Sequence, residues 1–162
     1  METFYSLRTV KWDDDDNSVV LIDQTKLPTS LTFVKCQSLM DIVQSIKKMV
    51  VRGAPAIGVT AAMGLALVAA RNKGTGKEII RELESATREL VNTRPTAVNI
   101  SWATEVVLNE GKSAEKKGID IRQAVKKRAL LMAEEDVAAN LKMGEYGSKL
   151  VQDGDGVLTH CK

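Results

Sequence analysis

The stretch VRGAPAIGVTAAMGLALVAA, residues 51–70, decides how the rest of the chain is read. From residue 54 onward it carries no charge and approaches the length of a membrane span. Its composition argues otherwise. Alanine and glycine dominate, both only weakly apolar, and Pro55 and Thr60 interrupt the run. A lipid-facing helix needs stronger hydrophobicity than this, so the stretch predicts a buried helix of a soluble protein. Pro55 suits the first helical turn, where its missing N–H leaves no bond unmade. Gly58, Ala61, Ala62, Gly64 and Ala66 keep the surface shallow enough for another backbone to approach. The helix is therefore expected at the centre of the fold.

On the N-terminal side three β-rich runs, YSLRTVKW, SVVLID and LTFVKC, are separated by the turn-prone clusters DDDDN and KLPTS. This spacing predicts an antiparallel meander. The four aspartates Asp13 to Asp16 are expected at a solvated hairpin tip, where like charges discourage edge pairing, rather than around a hard cation. Leu39, Ile42, Val43, Ile46, Met49 and Val50 then recur at helical spacing. Ser38 and Asp41 precede them as an N-terminal capping signal.

On the C-terminal side TGKE opens a further helix, with Thr75 and Glu78 as a capping box and Ile79, Ile80, Leu83, Ala86, Leu90 and Val91 as its stripe. Pro95 pushes Arg94 out of helical geometry and ends it. Another helix is expected over residues 97–108. A last one follows Asp120, carries Ile121, Val125, Ala129, Met132 and Val137, and runs as far as Leu150. The polar stretch KSAEKKG reads as a helix end and loop. The turn QDGDG then leads into a short apolar strand at Val157, Leu158 and Thr159. The fold class is α+β, a small antiparallel β-meander followed by a helical bundle.

Composition narrows the functional classes. The chain has 162 residues with 44% hydrophobic, enough for a real core. Its 23 basic and 21 acidic residues leave a formal charge of +2, without the field that attracts nucleic acid or anionic membrane. Aromatics at 4% offer no stacking platform for single strands. Two cysteines, Cys36 and Cys161, make no disulfide framework, and no leader pattern is recognisable. The expected compartment is the cytoplasm.

Three stretches carry possible chemistry. In VRGAPAIG, Arg52 precedes a helix start whose orphan N–H groups, at Gly53, Ala54 and Ala56, favour an anion. The planar guanidinium suits a phosphate. Taken alone, a surface charge is the commoner explanation. In TRPTAVN, Arg94 is again held before a proline at a helix junction, and Asn99 suits either a sugar hydroxyl or a packing role. In THC, side chains alternate along the strand, so Thr159 and Cys161 share a face and His160 points away. Adjacent His and Cys thus make a poor dyad. Cys36 is expected to pack, with no polar partner.

LIDQTKLP (residues 21–28), VRGAPAIG (51–58), TRPTAVN (93–99) and LTHC (158–161), in this order, resemble the methylthioribose-1-phosphate isomerase family. The resemblance runs from about Tyr5 to the end of the sequence and matches the N-terminal portion of a family member. The family is related to translation initiation factor 2B regulatory subunits and to ribose-1,5-bisphosphate isomerases. The resemblance implies an N-terminal sheet-plus-helical domain over residues 1–152. Residues 153–162 are then the start, a turn and the first strand, of a Rossmann-like α/β domain that continues past the sequence. Arg52, Gly53, Ala54 and Arg94 match substrate-binding positions, and Cys161 matches the active-site cysteine. The implied reaction converts 5-methylthioribose 1-phosphate to 5-methylthioribulose 1-phosphate in methionine salvage, without cofactor or metal. Homodimers are expected, acting on a small sugar phosphate, with no nucleic-acid or membrane partner. The alternatives are a non-catalytic initiation-factor regulatory subunit and a ribose-1,5-bisphosphate isomerase. After Cys161 the family pattern continues with asparagine, where this sequence has Lys162. The implied acidic proton donor, a glutamine and an asparagine–lysine pair lie further downstream in the family.

Overall fold

The computed structural model describes residues 7–158. Strands β1 (Val10–Asp13), β2 (Ser18–Ile22) and β3 (Phe33–Cys36) form one antiparallel sheet in the order β1-β2-β3. Val10 faces Leu21 across the first pair, and Val19 faces Cys36 across the second. Five helices follow: α1 (Leu39–Lys47), α2 (Ala54–Arg71), α3 (Gly76–Val91), α4 (Val98–Lys116) and α5 (Ile121–Ser148). The expected meander and bundle are both present.

Helix α2 is the axis. Every residue from Ile57 to Ala69 is buried, and the helix packs against α1, α3, α4, α5, β1 and β2. By length and hydropathy it would cross a membrane, but 72% of that window is enclosed by the rest of the fold. The small residues explain how so many neighbours fit. A Cβ on Gly64 would sit 3.1 Å from Ile42 Cγ2, and one on Gly58 would sit 3.1 Å from the Asn99 carbonyl oxygen. Helices α1 and α4 thus approach α2 closely at those two places.

The helix ends follow local chemistry. Ser38 Oγ accepts from Asp41 N while the Asp41 carboxylate accepts from Ser38 N, the capping box of α1. Thr75 and Glu78 form the same box on α3. Asp120 caps α5 through Arg122 N. The Arg122 guanidinium donates to the carbonyls of Asn72 and Gly74, satisfying acceptors past the end of α2 and tying α5 to it.

Three expectations need correction. Helix α1 stops at Lys47; Met49 has φ 56 and is exposed, so Met49 and Val50 do not continue the stripe. The chain instead reverses, and Val50 N donates to Ser45 O. Helix α4 runs to Lys116, two turns beyond residue 108, because Gly111 and Ala114 face the core: a Cβ on Gly111 would lie 3.1 Å from Val125 Cγ2. The aspartates are not a merely solvated tip. Lys35 Nζ lies 2.9 Å from Asp13 and 2.8 Å from Asp16, and Lys126 reaches Asp14 at 2.6 Å.

Past α5, Gln152 N donates to Asp155 Oδ2 across a turn in which Gly154 has φ 90. Val157 and Leu158 are exposed and pair with no strand among the described residues. The remainder of the expected strand, Thr159 to Cys161, lies outside the described residues.

Candidate functional site

The site is built where α2 begins. Val51 is fully buried and pins the chain, so that Arg52, Gly53, Ala54 and Pro55 emerge at the surface. Gly53 occupies the N-cap with φ 88 and ψ 132, a conformation that side-chain-bearing residues rarely adopt. No neighbour would contact a Cβ there, so it is the backbone angle, not space, that selects glycine. The first intrahelical bond is Ile57 N to Gly53 O at 2.9 Å, and no side chain caps the helix. Pro55 has no N–H. The N–H groups of Gly53, Ala54 and Ala56 have no acceptor among the described residues. Three open donors and the positive end of an eighteen-residue helix thus lie beside an exposed arginine.

A second segment holds this one in place. Asp23 Oδ1 accepts from Thr25 N and Oγ1, forming a tight turn. The next residue, Gln24, donates its backbone N–H to Val50 O at 2.9 Å and its side-chain amide to Arg52 O at 3.5 Å. The IDQT turn is thereby a brace for the Arg52 backbone. Sequence reasoning placed this stretch in the family resemblance but assigned Gln24 no role; nothing in local periodicity could reveal a contact across 28 positions.

The third segment joins through α4. The Gly58–Asn99 approach sets the first turn of α2 against the first turn of α4. Arg94 lies in the connection that leads into α4, where Ala97 N donates to its carbonyl at 2.9 Å. It is half-buried, whereas Arg52 is exposed. Neither guanidinium forms an ion pair among the described residues. The structure therefore brings the two arginine-bearing segments to one end of the bundle. Asn99 is half-buried there, its backbone serving the helix contact. Cys161, His160 and Thr159 lie outside the described residues.

Cys36 is elsewhere, wholly buried beneath the sheet. Its thiol does have a polar partner, contrary to expectation: Sγ lies 3.4 Å from Ser45 Oγ. Burial raises its pKa, opposed by that hydrogen bond, so it is held as an unreactive thiol. No cluster of His, Cys, Asp and Glu with metal-holding geometry occurs among the described residues.

Residues 50–162 match the Initiation factor 2 subunit family. A methylthioribose-1-phosphate isomerase of Pelotomaculum thermopropionicum is 40% identical over 157 residues, covering 96% of this chain and 43% of the relative. One of Chloroflexus aurantiacus is 42% identical over 157 residues, covering 96% and 45%. Among solved structures, 5-methylthioribose 1-phosphate isomerase from Pyrococcus horikoshii superposes with TM-score 0.82 at 39% identity, covering 92% of this chain and 42% of that one. Translation initiation factor eIF-2B, subunit delta, from A. fulgidus superposes with TM-score 0.77 at 41% identity, covering 93% and 43%. The chain thus spans less than half the length of the relatives it matches.

Proposed function

This chain belongs to the Initiation factor 2 subunit family, and from that premise we propose that it supplies the phosphate-anchoring half of an aldose–ketose isomerase site. The substrate in this reading is 5-methylthioribose 1-phosphate and the product 5-methylthioribulose 1-phosphate. The observation that carries it is the start of α2: Arg52 beside the open N–H groups of Gly53, Ala54 and Ala56, braced by Gln24. Its likeness to enzymes named for that reaction supports the choice of sugar.

The geometry fits the problem the chemistry poses. Phosphate on the anomeric oxygen prevents ordinary ring opening of the sugar. An enzyme must open the ring and then move hydrogen from C2 to C1. Holding the phosphate on a fixed helix terminus lets its binding energy position the ring. Arg94 adds charge from the neighbouring helix junction. The proton-transfer pair consists of Cys161 and a carboxylate that the family resemblance puts downstream of it. The working enzyme in this reading is a cytoplasmic homodimer.

The superposition on the eIF-2B delta subunit favours a second reading, a regulatory subunit that binds a phosphorylated metabolite without turning it over. The two separate in a chimera joining this chain to the remainder of the Pelotomaculum enzyme. Turnover of 5-methylthioribose 1-phosphate is expected. Arg52→Ala should weaken substrate binding about tenfold or more, since a charged hydrogen bond contributes on the order of 1.5–3 kcal/mol. Binding of the sugar phosphate without turnover would favour the regulatory subunit, and kinetics indifferent to Arg52→Ala would remove the anchoring role.

A further inference from the structure

One turn along α2 from its open N–H groups lies a groove of about 280 Å³ that the anchoring role does not use. Pro55 and Gly58 form one side, Trp102 of α4 another, and Met132 and Asp136 of α5 the third. Trp102 is 51% exposed, while Met132 is buried. Glu135, at the same rim, is neutralised by a forked pair to Arg128, at 3.0 and 3.1 Å. Asp136 has no cation partner among the described residues; its carboxylate accepts only from the Asn140 amide, at 3.3 Å. The groove is therefore apolar at its floor and wall, with one negative charge at its mouth.

We propose that this groove receives the 5-substituent of a sugar phosphate anchored at the start of α2, and that Trp102 and Asp136 select an uncharged methylthio group over a second phosphate. The inference rests on the isomerase reading and adds to it the residues that choose the sugar. Continuity is the first argument. Pro55 belongs to the first turn of α2 and Gly58 to the next, about 5.4 Å further along the axis. Pro55, which lines the groove, lies between Ala54 and Ala56, so the phosphate-anchoring end and the groove share a border. Chemistry is the second. A thioether packs well against an aromatic edge and against methionine, and its transfer from water is favourable. A phosphate in the same place would meet the Asp136 carboxylate in a partly desolvated setting, where like-charge repulsion is strong. Glycine at 58 keeps the wall open, since the approach to Asn99 leaves no room for a side chain there.

The test uses the chain itself, titrated with 5-methylthioribose 1-phosphate, ribose 1-phosphate and ribose 1,5-bisphosphate by calorimetry, with saturation-transfer NMR on the S-methyl protons. Strong saturation of those protons is expected. Trp102→Ala should weaken the methylthio ligand about tenfold and ribose 1-phosphate less than about twofold, and Trp102→Phe should restore most of the loss. Asp136→Asn should improve ribose 1,5-bisphosphate several-fold and leave the other two unchanged. Arg52-dependent binding in which Trp102→Ala weakens the two monophosphates equally would overturn the groove assignment alone. No binding of any of the three sugars, or binding that Arg52→Ala leaves untouched, would overturn the anchoring reading and this inference with it.

Discussion

Lys35 illustrates what a single residue contributes here. It extends from β3 to hold Asp13 and Asp16 together across the β1–β2 turn. The Lys35 ammonium, with a hydrogen bond from the Gln37 amide, lowers the Asp16 pKa to about 2. A carboxylate with a depressed pKa in the folded state stabilises the fold above its unfolded pKa, near 3.9, and loses that contribution as pH falls toward 2. The Lys35 pKa is raised by the same contacts, so its side of the pair is lost only in strong alkali. Stability should therefore fall between about pH 4 and pH 2, and Lys35→Met should flatten that limb by lowering stability near neutrality toward its acid value. Urea midpoints across pH 2–6 check this; identical acid limbs would mean the pair is too exposed to matter. Four consecutive aspartates were legible as a turn. Their partners were not, because Lys126 lies 112 positions from Asp14 and charge alone names no partner. Cys36 was legible as a packing residue, but the Ser45 hydroxyl beside it was not.

At the scale of elements, existence was written more plainly than extent. The capping boxes at Ser38 and Thr75 predicted helix starts that the structure has. The end of α1 was missed because Met49 and Val50 keep an apolar spacing through a reversal. The end of α4 was missed because KSAEKKG looks polar, while Gly111 and Ala114 are inner positions of a continuing helix. Close approach is what the small residues provide, and it makes a contrast that can be measured. Gly58→Val puts a branched side chain against the Asn99 carbonyl, a backbone atom that cannot swing away. Overpacking of this kind costs about 1–3 kcal/mol, and it should lower the melting temperature by several degrees. Gly144, inside α5, has nothing within 4 Å of its Cβ position. Gly144→Ala should raise stability, by about 0.5–1 kcal/mol, from helix propensity alone. Thermal melts of the two variants side by side test whether α2 is held by backbone proximity; equal effects would show that it is not.

The whole molecule is uneven in a way that bears on activity. Its core closes around α2, yet the second half of α5 has Leu141, Met143 and Tyr146 exposed, with Leu150 beyond its end. Periodicity foretold this helix but not that these side chains are left uncovered by the described residues, since a helical stripe does not say what it packs against. The arginine-bearing segments could be read from the sequence as separate motifs. Only the fold brings their helix starts together, through the Gly58–Asn99 approach. The chain spans 43% of the Pelotomaculum enzyme's length, and the carboxylate that the resemblance pairs with Cys161 belongs to the part it does not span. Two outcomes are expected of this chain studied alone. It should self-associate through the uncovered face of α5, because exposed apolar area of this kind favours contact with a second copy; sedimentation at increasing concentration will show it, and Leu141→Lys should reduce it. It should also bind a sugar phosphate through α2 without isomerising it, because in the proposed reading Cys161 lacks its carboxylate partner on this chain. Mixing with the separately expressed remainder of the Pelotomaculum enzyme should then generate turnover that neither piece has by itself. Isomerisation by this chain alone, above a vector control, would mean that the residues described here already hold an acid–base pair and that the site is not divided.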